Sequence, residues 1–142
     1  MTSPLENLEA SGQLHPEPFD SREYDGLVSS GRIRLSDAEN PALSLESRFD
    51  LAYNAAHALC LAALRRAGFR PANRYIVFQV LPQTLGVGPE VWRVLAMAHQ
   101  KRNDAEYEGF VDVEERLVDD LISAGRVVED ALGSVPEEPS PP

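Results

Sequence analysis

The strongest periodic signal in the chain lies between Ser44 and Gly68, "SLESRFDLAYNAAHALCLAALRRAG". Apolar side chains recur at Leu45, Phe49, Ala52, Ala56, Leu59 and Ala63, the three-and-four spacing of one helix face. Ser44 can cap the first turn and Gly68 can end the last. The alanines predict close approach by a neighbouring helix. A second stripe, Val113, Leu117, Leu121, Ala124, Val128 and Ala131, runs through "DVEERLVDDLISAGRVVEDALG". It opens on a capping box, Asp112 with Glu115, and closes at Gly133. "DSREYDGLVSSGRIRLSDA" opens on another, Asp20 with Glu23, although Gly26 and Gly31 weaken a helix there.

Two further segments complete the pattern. In "NRYIVFQVLPQTLG", Ile76, Val77, Val80 and Leu81 share one side. Pro82 kinks or ends this helix, because it has no N–H for the carbonyl of residue 78. "YIVFQV" alone also reads as a strand; a helix is preferred because no other segment offers a strand to pair with. "GPEVWRVLAMAHQKRNDAEYEG" puts Pro89 at the first helical position, Glu90 at the positive end of the dipole and Gly109 at the stop. Short connections then predict an all-α fold, an antiparallel bundle of four or five helices over residues 20–133. Residues 1–19 read as a flexible arm with one helical turn around Pro4–Glu9. Residues 134–142 read as a disordered, Pro-rich acidic tail.

Composition changes this picture little. The 142 residues support one domain, and 43% hydrophobic residues are enough for a packed core. No apolar run reaches the roughly 18 residues of a membrane span. The start lacks a basic segment and an apolar stretch, so no secretory signal is expected. One cysteine, Cys60, excludes an internal disulfide, and the cytoplasm is the expected location. Charge is more informative. The net charge is −10, yet residues 65–102 carry Arg65, Arg66, Arg70, Arg74, Arg93, Lys101 and Arg102 against a single acid, Glu90. Bulk acidity opposes non-specific nucleic-acid binding, while the basic middle permits a local phosphate contact; the bland alternative is a set of solvated helix faces.

The candidate site lies where the stripe through Trp92, Leu95 and Ala96 turns polar. His99, Arg102, Asn103, Glu106 and Tyr107 follow at i, i+3, i+4, i+7 and i+8, which is one helix face. A buried Arg without partners is costly, so the cluster belongs at the mouth of the bundle or at a subunit interface. The alternative is a solvated last turn with an Arg102–Glu106 ion pair and Tyr107 as a lid on the core. Elsewhere, His15 lies in the arm and His57 reads as an ordinary helix residue before it reads as a catalyst. Cys60 reads as core, and Glu114–Glu115 and Asp119–Asp120 as a solvated face. No His, Cys or carboxylate spacing fits a metal, and "GVG" at 86–88 lacks the Lys-Ser/Thr of a phosphate loop. No metal or other cofactor is expected.

Three features resemble the HEPN family of small all-helical domains over about Glu46–Leu132. They are the helix "RFDLAYNAAHALCLAALRRAGFRP", a short following helix ending "TLG", and "KRNDAEYEG" closing the next helix before an acidic-apolar final one. The family motif is an Arg, usually followed by a polar residue, with a His four to six positions on. Arg102 and Asn103 match its first half; no His follows, and Tyr107 stands in that region. The resemblance implies metal-independent cleavage of RNA across a homodimer. Arg102 would stabilise the crowded phosphate, and Asn103, Glu106 and Lys101 would hold the substrate. His99 or Tyr107, or more remotely His57, would stand in for the absent His; a tyrosine pKa near 10 suits neutral proton transfer poorly. The implied setting is a toxin–antitoxin or defence system with a nucleotidyltransferase-type antitoxin. The alternatives are a non-catalytic nucleotide- or protein-binding module and a helical scaffold without a ligand.

Overall fold

The computed structural model describes residues 3–133, and the expected tail at 134–142 lies outside them. Seven helices and one two-stranded ribbon form among the described residues. They are α1 (Pro4–Ala10), β1 (Leu14–Pro16), α2 (Ser21–Ala38), α3 (Leu45–Arg66), β2 (Phe69–Pro71), α4 (Arg74–Gln79), α5 (Leu81–Thr84), α6 (Pro89–Glu108) and α7 (Glu115–Gly133). The fold is mostly helical, as the periodicity predicts, with four long helices carrying the core.

The long alanine-rich helix, α3, is the centre. Ser44 caps it by accepting the Ser47 N–H at 3.1 Å. Phe49, Ala52, Ala56 and Leu59 of the predicted stripe are fully or almost fully buried, whereas Leu45 stays exposed. Two buried arginines pin its ends. At the start, Arg48 donates to the Ala38 carbonyl at the end of α2 and pairs with Asp119 near the start of α7. At the finish, Arg66 donates to the Tyr24 hydroxyl near the start of α2 and to the Leu132 carbonyl at the end of α7. So α2 runs antiparallel to α3, while α7 runs parallel to it, and the all-antiparallel expectation is corrected for that pair.

Of the two glycines that weaken α2 as an isolated helix, Gly26 faces open space, but Gly31 has a packing reason, and so has Gly125 of α7. A Cβ on Gly31 would lie 2.6 Å from Leu59 Cγ, and one on Gly125 of α7 would lie 2.8 Å from Leu35 Cδ2. Each lets two backbones approach where a side chain would collide. The Asp20 cap forms, accepting the Arg22 N–H at 2.9 Å. Its capping-box partner does not reciprocate: Glu23 turns instead to Arg65 and Arg70. The box expected from Asp112 to Glu115 does not form either, because α7 begins only at Glu115 and its first backbone bonds go to the Glu114 carbonyl.

The N-terminal segment departs most from expectation. Helix α1 covers the predicted turn around Pro4–Glu9, but residues 14–16 then pair antiparallel with 69–71, Leu14 opposite Pro71. A partner strand therefore exists, although not for "YIVFQV", which is helical. Leu14 is 0% exposed. Arg65, 1% exposed at its side chain, fixes the return: it donates to Glu23 at 2.7 Å and to the carbonyls of Glu17, Pro18 and Phe69. The anchored ribbon delivers the chain, through Asn73, to α4.

Candidate functional site

Short α4 is held by its apolar side. Asn73 caps it, accepting the Ile76 N–H at 3.1 Å, and Ile76, Val77 and Phe78 are buried. With those residues committed to the core, Arg74 and Tyr75 are left at the surface. They face the stretch of α6 where the stripe turns polar. That helix ends as expected, with Gly109 left-handed at φ 84° and its N–H on the Ala105 carbonyl. Val91, Leu95 and Ala98 carry its buried face. One turn further, His99, Arg102 and Asn103 are partly buried, so the stripe continues inward before it reaches solvent.

The hub beneath them is Tyr53 of α3, 0% exposed. Its hydroxyl lies 3.0 Å from His99 Nδ1, and Asn103 Nδ2 lies 3.1 Å from His99 Nε2. An amide nitrogen only donates, so Nε2 accepts, the ring proton sits on Nδ1, and Nδ1–H donates to the Tyr53 oxygen. Both ring nitrogens are thereby engaged in the neutral tautomer. Burial first, then Arg102 and Arg74, hold the imidazole below its ordinary 6.5, with Glu106 pulling weakly the other way.

Two guanidiniums from different helices meet on the Tyr53 ring. Arg102 Cζ lies 5.2 Å from its centroid and Arg74 Cζ 5.8 Å. Arg102 also pairs with Glu106 at 3.3 Å, but the Glu106 side chain is 65% exposed, so solvent screens that pair strongly. No carboxylate pairs with Arg74 among the described residues. Aromatic rings close the corner: Phe78 stands 6.1 Å and Tyr75 5.3 Å from the His99 ring. His57, one turn along α3 from Tyr53, packs edge-on to Phe78, and its Nε2 is buried without a hydrogen-bond partner. Burial, then Arg74, Arg102 and His99, push its pKa down to about 4.

The sequence candidates therefore divide. His99, Arg102 and Asn103 come together, and His57 joins their electrostatic neighbourhood. Glu106 reaches Arg102 from the solvent side, and Lys101 is half-buried on the neighbouring face. Tyr107 does not join: it is 95% exposed, which rules out the lid on the core. His15 sits on β1, opposite Arg70 and away from the cluster. Buried Cys60 is core, and its surroundings push the thiol pKa well up, so it is inert. Sequence reasoning missed Tyr53, Arg74 and Tyr75. A tyrosine in an alanine stripe was the available signal, since a buried hydroxyl needs a partner. So was an Arg-Tyr pair opening a helix too short to bury all of its residues.

Elsewhere, a groove of about 340 Å³ between α2 and the end of α7 is lined by Tyr24, Val28, Ile33 and Arg32, whose charge is met by Glu129. Among the described residues no three His, Cys, Asp or Glu side chains are placed to hold a metal ion. No described helix is long and apolar enough to cross a membrane. No protein-family model, curated protein or solved structure matches the chain.

Proposed function

We propose that the corner formed by Tyr53, Arg74, His99, Arg102 and Asn103 binds a phosphate of RNA or of a nucleotide, and that the chain is a HEPN-like binding module. The observation that carries this reading is the meeting of Arg74 and Arg102 on one aromatic ring, with a single exposed carboxylate, Glu106, paired to Arg102. Two cations held together without buried counter-charges repel, and an anion relieves them. A guanidinium also offers parallel N–H donors that match phosphate oxygens.

Binding is favoured over cleavage by the state of His99. Its two nitrogens are taken by Tyr53 and Asn103, and Tyr107 is turned to solvent. A ribonuclease reading keeps one support: both His57 and His99 stay neutral near two arginines, so either can accept a proton at neutral pH if its surroundings rearrange. A homodimer belongs to the same reading, since exposed Met97, Tyr107 and Phe110 leave apolar surface on and just beyond α6.

The test is fluorescence anisotropy of a labelled RNA with wild type, Arg102→Ala and Arg102→Lys, alongside melting curves and a cleavage gel. Arg102→Ala should bind about tenfold or more weakly while remaining folded, as charge-assisted bonds are removed. Lys should restore part of the loss. Equal binding by wild type and Arg102→Ala would reduce the cluster to a solvated helix end.

A further inference from the structure

The exposed ring next to Arg74 lies outside the buried core. Tyr75 is 38% exposed, in a helix whose next three residues are all buried. It stands next to Arg74 in sequence and 5.3 Å from the His99 ring, tilted by 47°. Core packing is supplied by Ile76, Val77 and Phe78, and the cap by Asn73, so α4 does not require an aromatic at this position. The ring is nevertheless held in place: it sits in the capped first turn, abuts a histidine engaged at both nitrogens, and belongs to a helix whose apolar side is buried.

We propose that Tyr75 is a stacking platform for an unpaired nucleobase, so that this corner takes single-stranded rather than double-stranded RNA. The inference rests on the phosphate-binding reading and extends it from the charge to the base. A nucleotide whose phosphate lies against Arg74 and Arg102 carries its base within reach of the ring beside them. Stacking needs a fixed, solvent-facing aromatic surface next to a cationic track, and tolerates any base because every base has a π-face. A paired base presents no free face to such a ring, because its own duplex neighbours cover it. His99 lies tilted against Tyr75, and the part of the ring that stays exposed is the surface a base would use, which makes Tyr75 a positioning surface rather than a proton donor.

The experiment compares four RNAs of one length by anisotropy: a labelled oligouridylate, an oligoadenylate, an abasic oligonucleotide and a duplex. Wild type, Tyr75→Ala, Tyr75→Trp and the Arg74→Ala/Arg102→Ala double variant are titrated with each. Tyr75→Ala should lose about tenfold or more on both single strands, a range set by the alanine-substitution cost of one stacked base. Tyr75→Trp should bind as well as wild type or better. The abasic strand should bind more weakly to wild type and be indifferent to Tyr75→Ala. Because Tyr75 is outside the core, the variants should melt with wild type. If Tyr75→Ala matches wild type on the single strands while the double arginine variant fails, the platform is wrong and the phosphate site stands. Duplex binding as tight as single-strand binding also overturns the platform. If wild type binds none of the four, the phosphate reading itself falls.

Discussion

Two arginine-rich corners of the molecule use the same chemistry to opposite ends. At the N-terminal corner, Arg65 is 1% exposed at its side chain, and its donors meet two carboxylates and three carbonyls. Arg70 shares the same two acids, Glu17 and Glu23. At the α4–α6 corner, Arg74 and Arg102 meet the face of a tyrosine and one exposed glutamate. The first arrangement leaves nothing for a ligand and ties the ribbon to α2 and α3. Among the described residues, the second leaves Arg74 without a carboxylate and Arg102 with one exposed one and, after burial, adds to the lowering of the histidine pKa values near it. A cation's partners, more than its exposure, separate a structural clamp from a candidate site.

The largest effect that separates them is on stability. Arg65→Ala would leave three carbonyls at the clamp without their donor and the two carboxylates with Arg70 alone, and should cost about 3 kcal/mol, the low end for breaking a buried pair, because the two glutamates can rehydrate. Urea unfolding should show a midpoint lowered by roughly 1 M or more. An unchanged midpoint would mean that the clamp is ornamental. Gly31→Ala should come next, at about 1–3 kcal/mol, because its Cβ would press on Leu59 in the α2–α3 interface. That substitution probes the core without touching either corner.

The corners also differ in the pH window over which they lose stability. Hydrogen bonding from Arg70 holds the Glu17 carboxyl below its ordinary 4.5. Burial raises Glu23, but bonds from Arg70 and Arg65 outweigh it and leave it lowered too. A carboxyl depressed in the folded state stabilises above pH 4.5, and that stability disappears as the pH falls through the folded value. His57 acts at higher pH. Below 6.5 the unfolded chain takes up a proton at residue 57 that the folded chain refuses, so stability falls as pH drops from 6.5 towards about 4. The fall should be on the order of 2 kcal/mol after allowing for partial solvent access. Denaturation followed from pH 7 to about 5.5 should therefore show a slope that His57→Gln flattens and Glu23→Gln leaves alone. A slope untouched by His57→Gln would refute the assignment.

The smallest effect is expected at Tyr107. A side chain 95% exposed and outside the cluster makes no contact whose loss would be felt in the monomer, so Tyr107→Phe should melt within about 0.5 kcal/mol of wild type. RNA binding should be equally unaffected. A tenfold loss of binding would restore Tyr107 to the site and point to a partner subunit that covers it.

The long helices were legible in the chain because three-and-four spacing, a start signal (the Ser44 cap of α3, the first-turn Pro89 of α6) and a glycine stop agree over each. What was not legible depends on contacts between residues far apart in sequence. The ribbon of residues 14–16 with 69–71 is too short for an alternation signal, and its stability comes from Arg65, 50 or so positions from its first partner strand. Glu23 looked like a capping-box residue and is one by spacing, but a buried guanidinium competes for it and wins. At the site, periodicity brought His99, Arg102 and Asn103 to one face and extended the row to Tyr107. The helix clears its neighbours before that last turn, so the row runs on into water. Tyr53 and Arg74 join from other helices, which periodicity within one helix does not reveal.

The most direct measurement of the phosphate site is the salt dependence of single-stranded RNA binding by wild type and by the Arg74→Ala/Arg102→Ala variant. Each phosphate contact contributes about 0.7 to the slope of log K against log salt on single strands, so the double variant should lose roughly 1.4 from that slope along with its affinity. Melting curves that coincide with wild type would place the loss in binding and not in folding. The same slope and the same affinity in both proteins would contradict a phosphate site at this corner.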